Sequence, residues 1–84
     1  KAEHSICSEL VIVTVGVTPD ERTGLICLVN ALHHASIVDI EKDSVMVEMT
    51  ESHEKINAFI DLLESYEIKE MVRTGIAGLT RGAE

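Results

Sequence analysis

The side chains in this 84-residue sequence that could bind a metal, attack a carbonyl or move protons are four histidines, two cysteines and a set of carboxylates. Their spacing decides whether they do so. His33 and His34 are adjacent, so on a helix they point about 100° apart and do not share one ion easily. His4 and His53 fall in other segments, and no HExxH, CxxC or EF-hand loop occurs. The histidines therefore read as solvated or partly buried, and no metal or other cofactor is expected. A catalytic Cys27 would need a base at hand and an electropositive pocket to lower its pKa. His34 lies about two helical turns further on, and the flanking Ile26 and Leu28 are apolar, so Cys27 reads as a small packed hydrophobe. Arg22 and Asn30 invite comparison with small acyl-phosphate hydrolases. No glycine-rich cradle accompanies them, however, and Asp20 and Glu21 would repel an anion, so Arg22 reads as half of a surface charge pair. Glu64, Glu67 and Glu70 read as a solvated face near the end of a helix. No catalytic residue is expected from these types and spacings.

The elements that would position such groups are easier to read. One domain fits this length, with a core that is marginal alone because so short a chain buries only roughly 60–65% of its unfolded surface. Hydrophobic residues make up 45% of the chain but aromatics only 2%, so aliphatic side chains must fill the interior. The net charge of −8 argues against nucleic-acid and acidic-membrane partners, since phosphate binding needs clustered Lys and Arg and only seven bases are scattered here. No apolar run reaches the roughly 20 residues needed to cross a bilayer, and no signal peptide is evident. Cys7 and Cys27 make a poor disulfide framework, which suggests a reducing compartment. The absence of Met at Lys1 suggests a fragment or a processed piece.

Residues Ser8 to Val17 alternate as a strand, with Val11, Val13, Val15 and Val17 on one face and Leu10, Ile12 and Thr14 on the other. Thr18-Pro19-Asp20-Glu21 spells a helix start: Thr18 and Glu21 form a capping box, and Pro19 suits the first helical position. Leu25, Leu28, Val29 and Leu32 follow at the spacing of one buried face. Gly24 leaves that boundary open, because it also fits a later start capped by Thr23 or a close approach to the sheet. Ile37 to Glu41 and Val45 to Met49 read as a hairpin around a corner that lacks glycine. Ser52 caps a second helix whose buried face is Ile56, Phe59, Ile60 and Leu63, and Ile68 to Val72 reads as the last strand. The order βαββαβ is the split βαβ, or ferredoxin-like, motif: an α+β two-layer sandwich with a four-stranded antiparallel sheet. The whole of 1–84 forms this one domain, with 1–7 a flexible start and 74–84 a tail rich in glycine and arginine.

Both faces of the first strand are apolar, while helices in a two-layer fold cover only one. The uncovered face demands a second subunit or a neighbouring domain. Val11, Val13 and Val15, with Val45, Val47 and Met49 of the hairpin, are the residues expected to carry self-association. Arg73, Gly75 and Arg81 are expected to contact a partner.

Several separated segments agree in order and spacing with one family. They are Ala35-Ser36-Ile37-Val38-Asp39-Ile40, Val47-Glu48-Met49-Thr50, Lys55 to Leu63, Ile68 to Gly75, and Leu79-Thr80-Arg81-Gly82. Together they resemble the C-terminal, ACT-like domain of the small regulatory subunit of acetolactate synthase (acetohydroxyacid synthase), from about Leu10 to Gly82. The resemblance implies a non-catalytic homodimer that binds and activates the thiamine-diphosphate-dependent catalytic subunit in branched-chain amino-acid biosynthesis. It also implies feedback by valine or another branched-chain amino acid through an N-terminal ACT domain that this sequence lacks. The loop Gly16 to Asp20 departs from the Asn-x-Pro-Gly type that shapes the effector pocket in that other domain. A cytoplasmic location, or an organelle lumen in a eukaryote, follows from the same resemblance. The alternative is a stand-alone ACT-type sensor that binds an amino acid at its own dimer interface.

Overall fold

A computed structural model of the chain describes residues 8–74. The elements run β1 (Ser8–Gly16), α1 (Pro19–Ala31), β2 (Ala35–Ile40), β3 (Ser44–Ser52), α2 (His53–Leu63) and β4 (Glu67–Arg73). The strands form one sheet in the order β2-β3-β1-β4. Each neighbouring pair is antiparallel, so this is the ferredoxin-like α+β fold expected from the sequence. Both helices lie on one face of the sheet.

The helix starts follow from their caps. The Thr18 hydroxyl accepts from the Glu21 N–H at 3.2 Å, and the Glu21 carboxylate accepts from the Thr18 N–H at 3.0 Å. Two of the donors a helix start leaves unpaired are thereby satisfied. At α2 the Ser52 hydroxyl satisfies one such donor by accepting from the Lys55 N–H. Gly24 lies inside α1 with no atom within 4 Å of where a Cβ would stand, so it marks neither a late start nor a close approach. The helix–helix–sheet layer encloses Val11, Val13, Val15, Leu25, Val29, Val45, Val47, Ile56 and Leu63, each fully buried, with Phe59 at 2% exposure.

Register explains this layer. Val13 opposes Val47 on β3 and Met71 on β4, and Val11 opposes Met49 and Arg73. Side chains directly opposite share a face, so the odd-numbered residues of β1 and β3 point at the helices. Val11, Val13, Val15, Val45, Val47 and Met49 are therefore the intramolecular core, the last at 5% exposure and the others at 0%. The six residues expected to carry self-association thus lie on the helix-covered side of the sheet, packed under α1 and α2. Two expectations change. Cys27 is exposed on α1, two residues from both Leu25 and Val29 and so on the side of the helix away from the buried stripe. Among the described residues Arg22 makes no charge pair: its Nη1 donates to the carbonyls of Lys42 at 3.0 Å and Glu41 at 3.4 Å, tying α1 to the β2–β3 turn.

Candidate functional site

Chemistry in the described residues concentrates at one end of the sheet, where β1 begins and β4 ends. Glu9 has the same parity as Val11, so the strand carries its carboxylate onto the helix-covered face, where it is 4% exposed. A buried carboxylate needs partners or a proton. Arg73, at the end of β4, donates from Nη2 to Glu9 Oε1 at 2.7 Å. His53, the first residue of α2, lies with Nδ1 2.8 Å from Glu9 Oε2. An ionised carboxylate only accepts, so His53 must carry its proton on Nδ1. Arg73 Nη1 also donates to Asn57 Oδ1 at 3.1 Å, one turn along α2. The Arg73 and His53 bonds, in that order, hold the Glu9 carboxyl below its ordinary value of 4.5 against the opposing effect of burial. Next to this cluster the Thr74 N–H donates to the Leu10 carbonyl at 3.0 Å, and the Leu10 N–H donates to Thr74 Oγ1 at 3.1 Å.

These contacts form a clasp that joins the start of β1, the end of β4 and the first turn of α2. They supply no open nucleophile, and no group of three or more His, Cys, Asp or Glu among the described residues can hold a metal ion. His33 and His34 form the turn between α1 and β2; His34 adopts a left-handed φ of 66° and its Nε2 lies 3.6 Å from Glu51. Cys27 and His34 do not form a pair. Glu64 caps the C-terminus of α2, whereas Glu67 and Glu70 belong to β4. The residues named for partner contact are placed unequally: the Arg73 guanidinium is committed to the clasp, and Gly75 and Arg81 lie outside the described residues. Glu9 and Asn57 are the members that sequence reasoning passed over. The signal for Glu9 was its parity with Val11, Val13 and Val15.

Cavities indent the surface of the described residues at two places of note. One, of about 250 Å³, lies between the ends of the helices and is lined largely by Leu32, Met49, Ala58, Phe59 and Leu62. The other, of about 290 Å³, is more polar and lies beside the β1–α1 loop between Val17, Glu21, Tyr66 and Lys69.

The largest unmatched feature is the sheet face opposite the helices. Along β1 it shows Leu10, Ile12 and Thr14, all part-exposed. Ile12 stands between Glu48 of β3 and Val72 of β4, and Thr14 stands between Met46 and Glu70. Val72 is 55% exposed, and Val38, where the β2 register shifts, is 48% exposed. The apolar strip along the middle of this face is what the two-sided character of β1 predicts.

These features define the class as a two-layer ferredoxin-like α+β domain, with a buried ion cluster fastening its own strands and a sheet that is apolar on the side away from the helices. Comparison with known proteins makes the class particular. The family model for the small subunit of acetolactate synthase matches residues 8–82, and the chain belongs to that family. It is 40% identical over 80 residues to a probable acetolactate synthase small subunit of Archaeoglobus fulgidus, covering 95% of this chain and 50% of that protein. It is 38% identical over 76 residues to the acetolactate synthase small subunit of Bacillus subtilis, covering 90% of this chain and 44% of that one. A probable small subunit of Methanothermobacter thermautotrophicus is 41% identical over 63 residues, 75% of this chain and 37% of its own length. The chain spans about half the length, or less, of these curated relatives. No helix among the described residues is long and apolar enough to cross a membrane.

Proposed function

We propose that this chain is a regulatory domain of acetolactate synthase: it binds the thiamine-diphosphate-dependent catalytic subunit and raises its activity, without contributing a reacting group. The observation that carries this reading is the family match over 8–82, whose described part, 8–74, forms one ferredoxin-like sandwich with an uncovered apolar sheet face. The domain acts as part of a homodimeric small subunit in the cytoplasm or an organelle lumen. Branched-chain amino acids act on it through an ACT domain elsewhere in the small subunit. Regulation of this kind needs contacts that differ between two states of the complex, a coupling typically of about 1–3 kcal/mol.

The test is reconstitution. The chain is mixed with the catalytic subunit of a matching acetolactate synthase, then co-elution and acetolactate formation are measured. The reading expects co-elution and a rise in rate. Separate elution with an unchanged rate, persisting when the remainder of a small subunit is supplied, contradicts it. Calorimetry of the chain alone against valine, leucine and isoleucine is expected to show no stoichiometric heat; a clear heat would favour a stand-alone sensor.

A further inference from the structure

The open sheet face is acidic as well as apolar, and this selects its occupant. Opposite the helices, the strip through Ile12, Met46 and Val72 is crossed by carboxylates. Glu48 pairs across β1 with Ile12, Glu70 pairs with Thr14, and Asp39 pairs with Met46. Glu48 is part-buried at the centre of the sheet, with one neutral bond from the Ser36 hydroxyl at 3.2 Å. Among the described residues no Lys or Arg stands at these strand positions. Lys69 follows at the Gly16 end of β4, beside Glu70, with its Cε 2.8 Å from where a Cβ on Gly16 would stand and the Glu67 Oε1 2.9 Å from the same point, so this one cation has its own carboxylate close by.

Covering this face with anything apolar alone would desolvate Glu48 without compensation. Covering it with a second copy of itself would set acid against acid around the strip, a juxtaposition that disfavours a pair. A surface with an apolar centre and Lys or Arg at its margin satisfies both components. The charge of −8 on the chain would also speed its encounter with such a surface.

We infer that the open sheet face docks a protein surface of that kind on the catalytic subunit, with basic side chains opposite Glu48 and Glu70, and that self-association leaves this face free. The inference rests on the reading that the chain binds a catalytic subunit.

The experiment measures the Kd of the chain for the catalytic subunit at low and physiological salt, for wild type, Glu48→Lys, Glu70→Lys and the control Glu54→Lys. Glu54 lies in the first turn of α2, on the helix side, and its replacement changes net charge equally. Melting curves and sedimentation accompany each variant, and Glu70 is an exposed edge-strand position where lysine is easily accommodated. The expected result is a loss of about tenfold or more for Glu48→Lys and Glu70→Lys, a loss under about twofold for Glu54→Lys, and weaker wild-type binding as salt rises. Folded variants that bind like wild type overturn the inference and leave the regulatory reading standing. Loss of self-association by Glu70→Lys with binding retained also overturns it, by giving the face to a second copy. No wild-type binding at either salt concentration overturns both.

Discussion

Arg73 is the side chain on which the end of the sheet depends. It meets Glu9 at 2.7 Å and Asn57 at 3.1 Å. Arg73→Met would keep the apolar stem but leave a buried carboxylate with His53 as its remaining strong donor. Its cost falls between that of an exposed ion pair and a fully buried one, about 2 kcal/mol, read as a shift in the denaturant midpoint at unchanged slope. Glu9 also sets a pH dependence whose sign follows from its lowered pKa. A carboxyl with a folded pKa below its unfolded value binds more protons when unfolded. Its stabilisation is present above 4.5 and is lost as pH falls through the folded pKa. The Tm difference between wild type and Glu9→Gln should therefore be positive near neutral pH and shrink below about pH 4.5. A constant difference across that window would show that the clasp holds by shape and not by charge. The parity of Glu9 with Val11, Val13 and Val15 is written in the sequence, but the alternation there is carried by the valines and a lone carboxylate beside them reads as solvated. Its partners were not legible there, because Arg73 and His53 reach it only when β4 and α2 have been folded onto β1.

Among the elements, α1 combines a clearly written start with a poorly matched middle. The capping box at Thr18 and Glu21 is a local pattern and was readable before any fold was considered. Cys27 was misread because apolar neighbours in sequence are not neighbours on a helix; the buried stripe runs through Leu25 and Val29 and passes it by. Gly24 has helical backbone and open space at its missing Cβ. Gly24→Ala should therefore stabilise the domain by roughly 0.5–1 kcal/mol, by restricting the unfolded chain and filling a helical position. For a domain of this size that is a rise in Tm of about 2–8 °C. A fall in Tm would mean that the alanine methyl meets a neighbour. The hairpin strands run beyond their apolar runs, to Ala35 opposite Met49 of β3 and to Ser52 opposite Ser8 of β1, because ladder pairing continues where side-chain hydrophobicity stops.

At the scale of the whole molecule, the fold was legible because each local pattern agreed with one arrangement: two capped helices with one apolar stripe each, and four strands in an order that closes a single layer. The choice of interface was not legible. Alternation along β1 shows two apolar faces but does not say which one the helices take, and the bulkier set Leu10–Ile12 faces outward while the valines pack inward. That choice became visible only through register, which places Val11, Val13 and Val15 under the helices and leaves Leu10, Ile12, Met46 and Val72 on the open face.

Two methionines on β3 report directly on this surface. Met46 is part-exposed on the open face, and Met49 lies in the core at 5% exposure. Their oxidation by dilute peroxide, followed by mass spectrometry with and without the catalytic subunit, measures whether the open face is covered in the complex. Met46 should oxidise readily in the chain alone and be protected by roughly tenfold or more when the catalytic subunit is added, with Met49 slow throughout. Equal oxidation of Met46 in the free and bound chain, in a sample shown to be complexed, would contradict the claim that this face meets the partner.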